Sequence, residues 1–123
     1  MKHVFEGNFN LTNPETYFKE YSSNIPFPHF VIDNFLNEDS ANKILSNFQI
    51  TEKWTNLSLV NNYKKFLLNN REYMDANCNE IIEELSSNEF ISKLSRCTGL
   101  KNIFLDKGLV GGGLQQSLNG GYL

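Results

Sequence analysis

Gly111–Leu123, GGGLQQSLNGGYL, is the stretch whose reading decides the rest. Three consecutive glycines lead into a short polar run with strand character. Asn119-Gly120-Gly121 and Tyr122-Leu123 follow. Asn-Gly is the strongest short-range hairpin signal, because a type I′ turn needs positive φ at both central positions. The expected turn is therefore Asn119-Gly120. Only Tyr122 and Leu123 follow Gly121, so the stretch reads as a β-hairpin whose return strand is unfinished.

The 123 residues bound the chain to one domain at most. Apolar residues make up 40% of it, with ten Phe and five Tyr, enough to build a core and to exclude disorder throughout. The formal net charge is −3 and the largest basic cluster is Lys64-Lys65, so neither nucleic acid nor an anionic membrane is an expected partner. No apolar run approaches the roughly 20 residues of a membrane helix. The opening MKHVFEGNFN has no apolar signal-peptide core, which gives a cytoplasmic expectation. On that expectation Cys78 and Cys97 read as reduced, small hydrophobic residues within helices.

Working back from the glycines, Ile103-Phe104-Leu105 is a short buried-strand candidate, and Lys107-Gly108 turns the chain after it. Two helices precede it. Asp75 caps the first, whose inner face is Cys78, Ile81, Ile82 and Leu85, with Glu80, Glu83 and Glu84 on the solvent side. Ser86–Glu89 closes that helix and caps the next, which buries Phe90, Ile91, Leu94 and Cys97. Gly99 is placed to end it in the left-handed conformation, with Leu100 at the contact position of a Schellman motif. Lys64–Leu68 reads as a strand between Asn61-Asn62 and Asn69-Asn70 turns, and Trp54 as a core anchor.

Nearer the amino terminus, Asn37 is set to cap a helix over Glu38–Phe48, with Ala41, Ile44, Leu45 and Phe48 on one face and Leu36 stapled against Ala41. His29–Asp33 follows the extended Pro26-Phe27-Pro28 and reads as a strand with Phe30 and Ile32 on one face. Asn13-Pro14-Glu15 starts a short helix to Tyr21, whose Tyr17, Phe18 and Tyr21 pack residues 1–24 as an arm on the domain.

Catalytic constellations are absent from the sequence: there is no GxSxG, CxxC, HExxH or HxD. The glycine run lacks the Gly-Lys-Ser/Thr of a phosphate loop. His29 has no partner at ligand spacing and reads as a structural residue with a hydrogen bond. His3 falls at a terminus expected to be mobile. The three glutamates read as a solvated helix face rather than a metal cluster.

The order PFPHFVIDNFL, helix, Trp54, Lys-Phe strand, paired helices ending in Thr98-Gly99-Leu100, a segment ending in Asp106, and GGGLQQSLNGGYL resembles the front of an iron(II)/2-oxoglutarate dioxygenase. It is most similar to the prolyl-4-hydroxylase-like oxygenases of bacteria and phages, over residues 25–123. The resemblance implies an α+β chain: the amino-terminal part of a double-stranded β-helix, or jelly roll, with buttressing helices and an incomplete barrel. It implies Fe(II), 2-oxoglutarate and ascorbate as cofactors of the complete enzyme, which would hydroxylate a prolyl or similar C–H bond of a small-molecule or peptidyl substrate. The family's iron ligands, a His-x-Asp pair on the strand after GGxL and a distal His, are not in this sequence. Neither is the basic residue that grips 2-oxoglutarate. The chain is thus expected to end before the metal centre, to bind none of these cofactors alone and to contribute no catalytic or metal-ligating residue. Gln115, where the family often has His, and Tyr122 are its candidate contributions to the co-substrate pocket. The competing reading is a non-catalytic binding or interaction module derived from the same fold.

Overall fold

The computed structural model describes residues 1–4, 13–57 and 63–122. Helix starts follow the sequence signals closely. Asn37, Asp75 and Ser87 each adopt extended backbone and accept a first-turn N–H, from Ser40, Cys78 and Phe90 respectively. These caps satisfy donors that a helix cannot satisfy internally. The helices are α1 (Pro14–Ser23), α2 (Glu38–Asn47), α3 (Ala76–Leu85) and α4 (Asn88–Thr98), with a 3-10 turn at Arg71–Tyr73. At α1 Pro14 supplies the start, but the Asn13 side chain makes no capping bond.

Gly99 ends α4 at φ +73°, and its N–H bonds to the Ser95 carbonyl at 2.8 Å. That single bond is the simpler left-handed cap rather than a Schellman motif. The Leu100 N–H turns instead to Thr98 Oγ1, and the Leu100 side chain is exposed. A Cβ on Gly99 would meet the Phe18 ring at 2.6 Å, so this glycine also makes room for α1 against the end of α4.

The strands β1 (Thr55–Asn56), β2 (Tyr63–Leu68) and β3 (Leu114–Tyr122) form one antiparallel sheet in the order β1-β2-β3. Four helices and an open three-stranded sheet make the described residues an α+β structure. The predicted turn at Asn61-Asn62 lies outside them, as does Leu123.

Two cores hold it together. One gathers Trp54, Leu68, Met74, Cys78 and Leu109, with Ile44, Phe48, Phe66, Ile82 and Leu114 packed on it. Trp54 is the anchor the sequence indicates, edge-on to Phe48 with ring centroids 5.4 Å apart. The second surrounds Val4 and Cys97 with Tyr17, Phe30, Ile32, Leu36, Leu85 and Phe90. Of the α1 aromatics Tyr17 and Tyr21 pack against Phe30, ring centroids 5.4 and 6.2 Å apart, whereas Phe18 is 46% exposed. Both cysteines are free and buried. Burial, then the hydrogen bond and charge of Asp75, push the Cys78 thiol up to about 12, and burial pushes Cys97 up as well. Thiolate is the reactive form. Neither cysteine is expected to react with a disulfide reagent at mildly alkaline pH until denaturant is added, which a timed thiol titration checks.

Several expectations are corrected. On α2 only Ile44 and Phe48 of the four predicted face residues pack on the core; Ala41 and Leu45 are exposed, Leu45 at 74%. Ser40 is the buried residue of that helix, because its inner side meets the amino terminus rather than an apolar layer. His29–Asp33 forms no strand: Phe30 and Ile32 do face the core, but no neighbouring strand pairs with them. Ile103–Leu105 is irregular and outward, with Asn102 at φ +57° and Phe104 83% exposed. His29 behaves as read, its Nδ1 bonding the Phe27 carbonyl at 2.9 Å.

The amino terminus is the largest correction. His3 is only 4% exposed; its Nδ1 lies 2.7 Å from Ser40 Oγ and its Nε2 3.0 Å from Glu80 Oε2. The backbone N–H groups of His3 and Val4 donate to the two oxygens of Glu84 at 2.8 and 3.1 Å. The Asn37 N–H donates to the His3 carbonyl, and Val4 bridges to Leu36. Glu80 and Glu84, four apart on α3, therefore present one carboxylate clamp, since such residues share a helix face. Glu83 pairs with Arg71 instead, at 3.1 Å.

Lys2, then His3, hold the Glu80 carboxyl below its ordinary value. A carboxyl lowered by folding stabilises the docked state above its unfolded pKa and loses that contribution as pH falls through the folded value. The His3 and Val4 amides, bonded to Glu84 beside this contact, are thus expected to lose exchange protection on acidification below the ordinary carboxylate range, and not between neutral pH and that range. Amide exchange followed against pH checks this.

Candidate functional site

The glycine-rich segment positions the candidate site. Asp106 organises its approach: the carboxylate accepts from the Gly111 N–H at 2.8 Å and is held low by backbone donors there. Gly113 takes φ +126°, and a Cβ on it would lie 2.7 Å from the Leu68 carbonyl oxygen. Only glycine lets the chain pass this close to the end of β2 and enter β3.

From there the ladder is regular: Leu68 faces Leu114, Leu67 faces Gln115, Phe66 faces Gln116 and Lys65 faces Ser117. Directly opposed residues of an antiparallel pair share a face, and the face alternates along the strand. Leu68, Phe66 and Leu114 pack on the Trp54 core, so this face is backed by α2 and α3 through Ile44, Phe48, Cys78 and Ile82. Gln116 lies on it too, with its Oε1 buried and unpartnered. The opposite face carries Lys65, Leu67, Gln115 and Ser117, joined by Thr55 opposite Leu67. Leu67 belongs to neither core. Gln115 thus projects from the side away from the Trp54 core and is exposed, as are Ser117 and Thr55, while Lys65 and Leu67 are half-buried.

The expected hairpin turn at Asn119-Gly120 is not one. β3 runs through it to Tyr122, and the register shifts so that Leu118–Gly121 oppose Lys64 alone. This is an extended bulge: Lys64 sits at φ +53° and Gly120 at φ +78°. A Cβ on Gly121 would stand 2.9 Å from both the Leu118 and Tyr63 carbonyl oxygens. Of the two positions expected at positive φ only Gly120 takes it and Asn119 does not, and here it serves a bulge rather than a turn. Past the bulge Tyr122 opposes Tyr63, and their rings stack at 5.8 Å with Tyr122 57% exposed. The bulge separates Tyr122 from the Gln115 ladder.

A cavity of about 280 Å³ opens on the helix-backed side, lined by Trp54, Leu68, Met74, Leu114, Tyr73 and Asp75 among others. Neither Gln115 nor Tyr122 lines it. Asp75 is turned to its helix, with Oδ1 on the Cys78 N–H and Oδ2 on the Cys78 thiol.

Among the described residues no three His, Cys, Asp or Glu side chains converge to hold a metal ion. Among the described residues the face away from the Trp54 core offers an ammonium, a carboxamide and hydroxyls. That donor set does not fit iron(II), which takes two imidazoles and a carboxylate in non-haem iron oxygenases. Among the described residues no helix is long and apolar enough to cross a membrane. Compared with known proteins, the chain matches no family model, no curated protein and no solved structure.

Proposed function

We propose that residues 25–123 form the opening part of a prolyl-4-hydroxylase-like iron(II)/2-oxoglutarate dioxygenase domain, a double-stranded β-helix with helices buttressing one sheet. In the complete enzyme these residues supply the buttress and the first strands. The iron ligands and the group that grips 2-oxoglutarate come from polypeptide beyond Leu123. The complete enzyme would hydroxylate a prolyl or similar C–H bond while decarboxylating 2-oxoglutarate.

One observation carries this reading beyond the sequence resemblance. The glycine-led β3 lies at the edge of an antiparallel sheet that packs on helices through one face, while among the described residues neither core lies on the other. A jelly roll needs such a wall, with its buttress outside, its site inside and the next strand added at the edge. Gln115 lies on the face away from the core, the side that would be internal.

Incubated with Fe(II), ascorbate and 2-oxoglutarate, the 123-residue chain is expected to release no succinate. Turnover by this chain alone would overturn the claim that its metal centre lies elsewhere. The alternative, a non-catalytic binding module, draws support from the capped helices and the two closed cores. A sharp, cooperative melt of a monomer would favour it, because an unfinished barrel leaves a sheet edge unprotected.

A further inference from the structure

We infer that Asn119 is a site of spontaneous deamidation, promoted by the Lys64 ammonium across the bulge from it. The inference stands apart from the dioxygenase reading and uses only the geometry of β2 against β3.

Asn119 is the only asparagine of the chain that glycine follows. The reaction is intramolecular. The Gly120 backbone nitrogen gives its proton to water and attacks Cγ of Asn119, forming a C–N bond and closing a succinimide ring. The Cγ–Nδ2 bond breaks, and Nδ2 leaves as ammonia with a proton taken up from water. A second water then opens either C–N bond of the ring, leaving an aspartyl or an isoaspartyl linkage. In sum water is consumed and ammonia released, with nothing oxidised or reduced. Glycine after the asparagine suits ring closure because no Cβ crowds the attacking nitrogen.

The bulge supplies what the ring closure needs. Leu118–Gly121 oppose Lys64 alone, so they leave the one-to-one pairing that fixes an ordinary strand. Asn119 and Gly120 are both exposed, and water reaches them. The Lys64 ammonium donates to the Asn119 main-chain carbonyl at 3.2 Å, and a Cβ on Gly120 would stand 3.8 Å from the same Nζ. That carbonyl and the Gly120 nitrogen form one peptide unit. Its resonance moves negative charge onto the oxygen when the nitrogen loses its proton. A cation already seated on that oxygen stabilises the charge as it develops. The Tyr63 ring, its centroid 5.3 Å from Nζ, helps hold the ammonium in place. The product sets a carboxylate beside Lys64. The isoaspartyl form also lengthens the main chain between the Lys65–Ser117 and Tyr63–Tyr122 pairs, on the way to the stacked tyrosines.

The folded chain, incubated at neutral pH, digested and followed by peptide mass spectrometry, tests this. Asn119 is expected to convert before any other asparagine. Lys64→Met is expected to slow it roughly fivefold, the upper end for an exposed charge interaction, and Lys64→Arg to keep the parent rate. In guanidinium chloride, where the fold no longer brings Lys64 to Asn119, parent and Lys64→Met should convert equally. Raising salt to about 1 M should slow the folded parent towards the Lys64→Met rate, because the contact is exposed and screened. The salt comparison uses the unsubstituted chain, so it does not depend on a variant folding. Earlier conversion of another asparagine, or equal or faster conversion in folded Lys64→Met, would overturn the inference. So would a Lys64→Arg rate as slow as that of Lys64→Met, a difference between parent and Lys64→Met that persists in guanidinium, or a parent rate indifferent to salt.

Discussion

Gly113→Ala is expected to destabilise the chain by roughly 3 kcal/mol, among the largest effects of any single methyl group here. Two independent costs combine. The backbone at φ +126° lies where an L side chain is strained, and the added Cβ would sit 2.7 Å from the Leu68 carbonyl and 3.0 Å from Asn69 Cβ. Both obstacles are at the end of β2, which cannot retreat without breaking the Leu68–Leu114 pair and opening the Trp54 core. The neighbouring Gly112→Ala is the control. Its Cβ would meet only Leu109 Cδ2 at 3.8 Å, an ordinary contact. It should change stability by no more than about 0.5 kcal/mol. Urea melts of the two variants beside the parent measure the difference directly. Equal midpoints for Gly112→Ala and Gly113→Ala would mean that the glycine-led entry into β3 is wrong.

The second large effect is expected at Glu84. Glu84→Ala removes the acceptor of two backbone donors at once, those of His3 and Val4. An unsatisfied buried donor costs about 1–3 kcal/mol, so the terminal segment should undock rather than stay unpaired, with a loss of roughly 2 kcal/mol. Val4, 3% exposed, would then leave the second core. Glu84→Gln keeps one acceptor oxygen and should fall between variant and parent. The His3 and Val4 amides report undocking by hydrogen exchange, and the melting midpoint reports its cost. Unchanged protection in Glu84→Ala would show that the clamp holds nothing.

These two sites also show what sequence reading reaches and what it misses. Helix caps are local chemistry, written in three or four adjacent residues, and Asn37, Asp75 and Ser87 were all legible. The αL glycine at Gly99 and the Trp54 anchor were legible for the same reason. His29–Asp33 alternates as a strand should, with Phe30 and Ile32 inward and Val31 exposed, but a strand also needs a partner, which alternation cannot supply. Ile103–Leu105 failed on burial: three apolar residues predict a core only where something covers them. Asn119-Gly120 gave the right conformation at Gly120 alone and the wrong topology, because the ladder through Tyr63 and Tyr122 decides between turn and bulge. The clamp was least legible. Its donors and acceptors are some 80 residues apart in sequence, and glutamates on a helix face look alike whether they meet water or a chain terminus.

At the candidate site, Gln115 was found through the glycine signature before it. Its placement on the face away from the Trp54 core required the register of β2 against β3.

The central claim is that this chain opens a dioxygenase domain whose metal ligands follow it. Sequencing the gene across and beyond the codon for Leu123 tests that most directly. A His-x-Asp pair encoded a few codons downstream, in any frame, is the result expected. A stop codon directly after Leu123, followed by sequence encoding no such pair in any frame, would contradict it and leave a self-standing module.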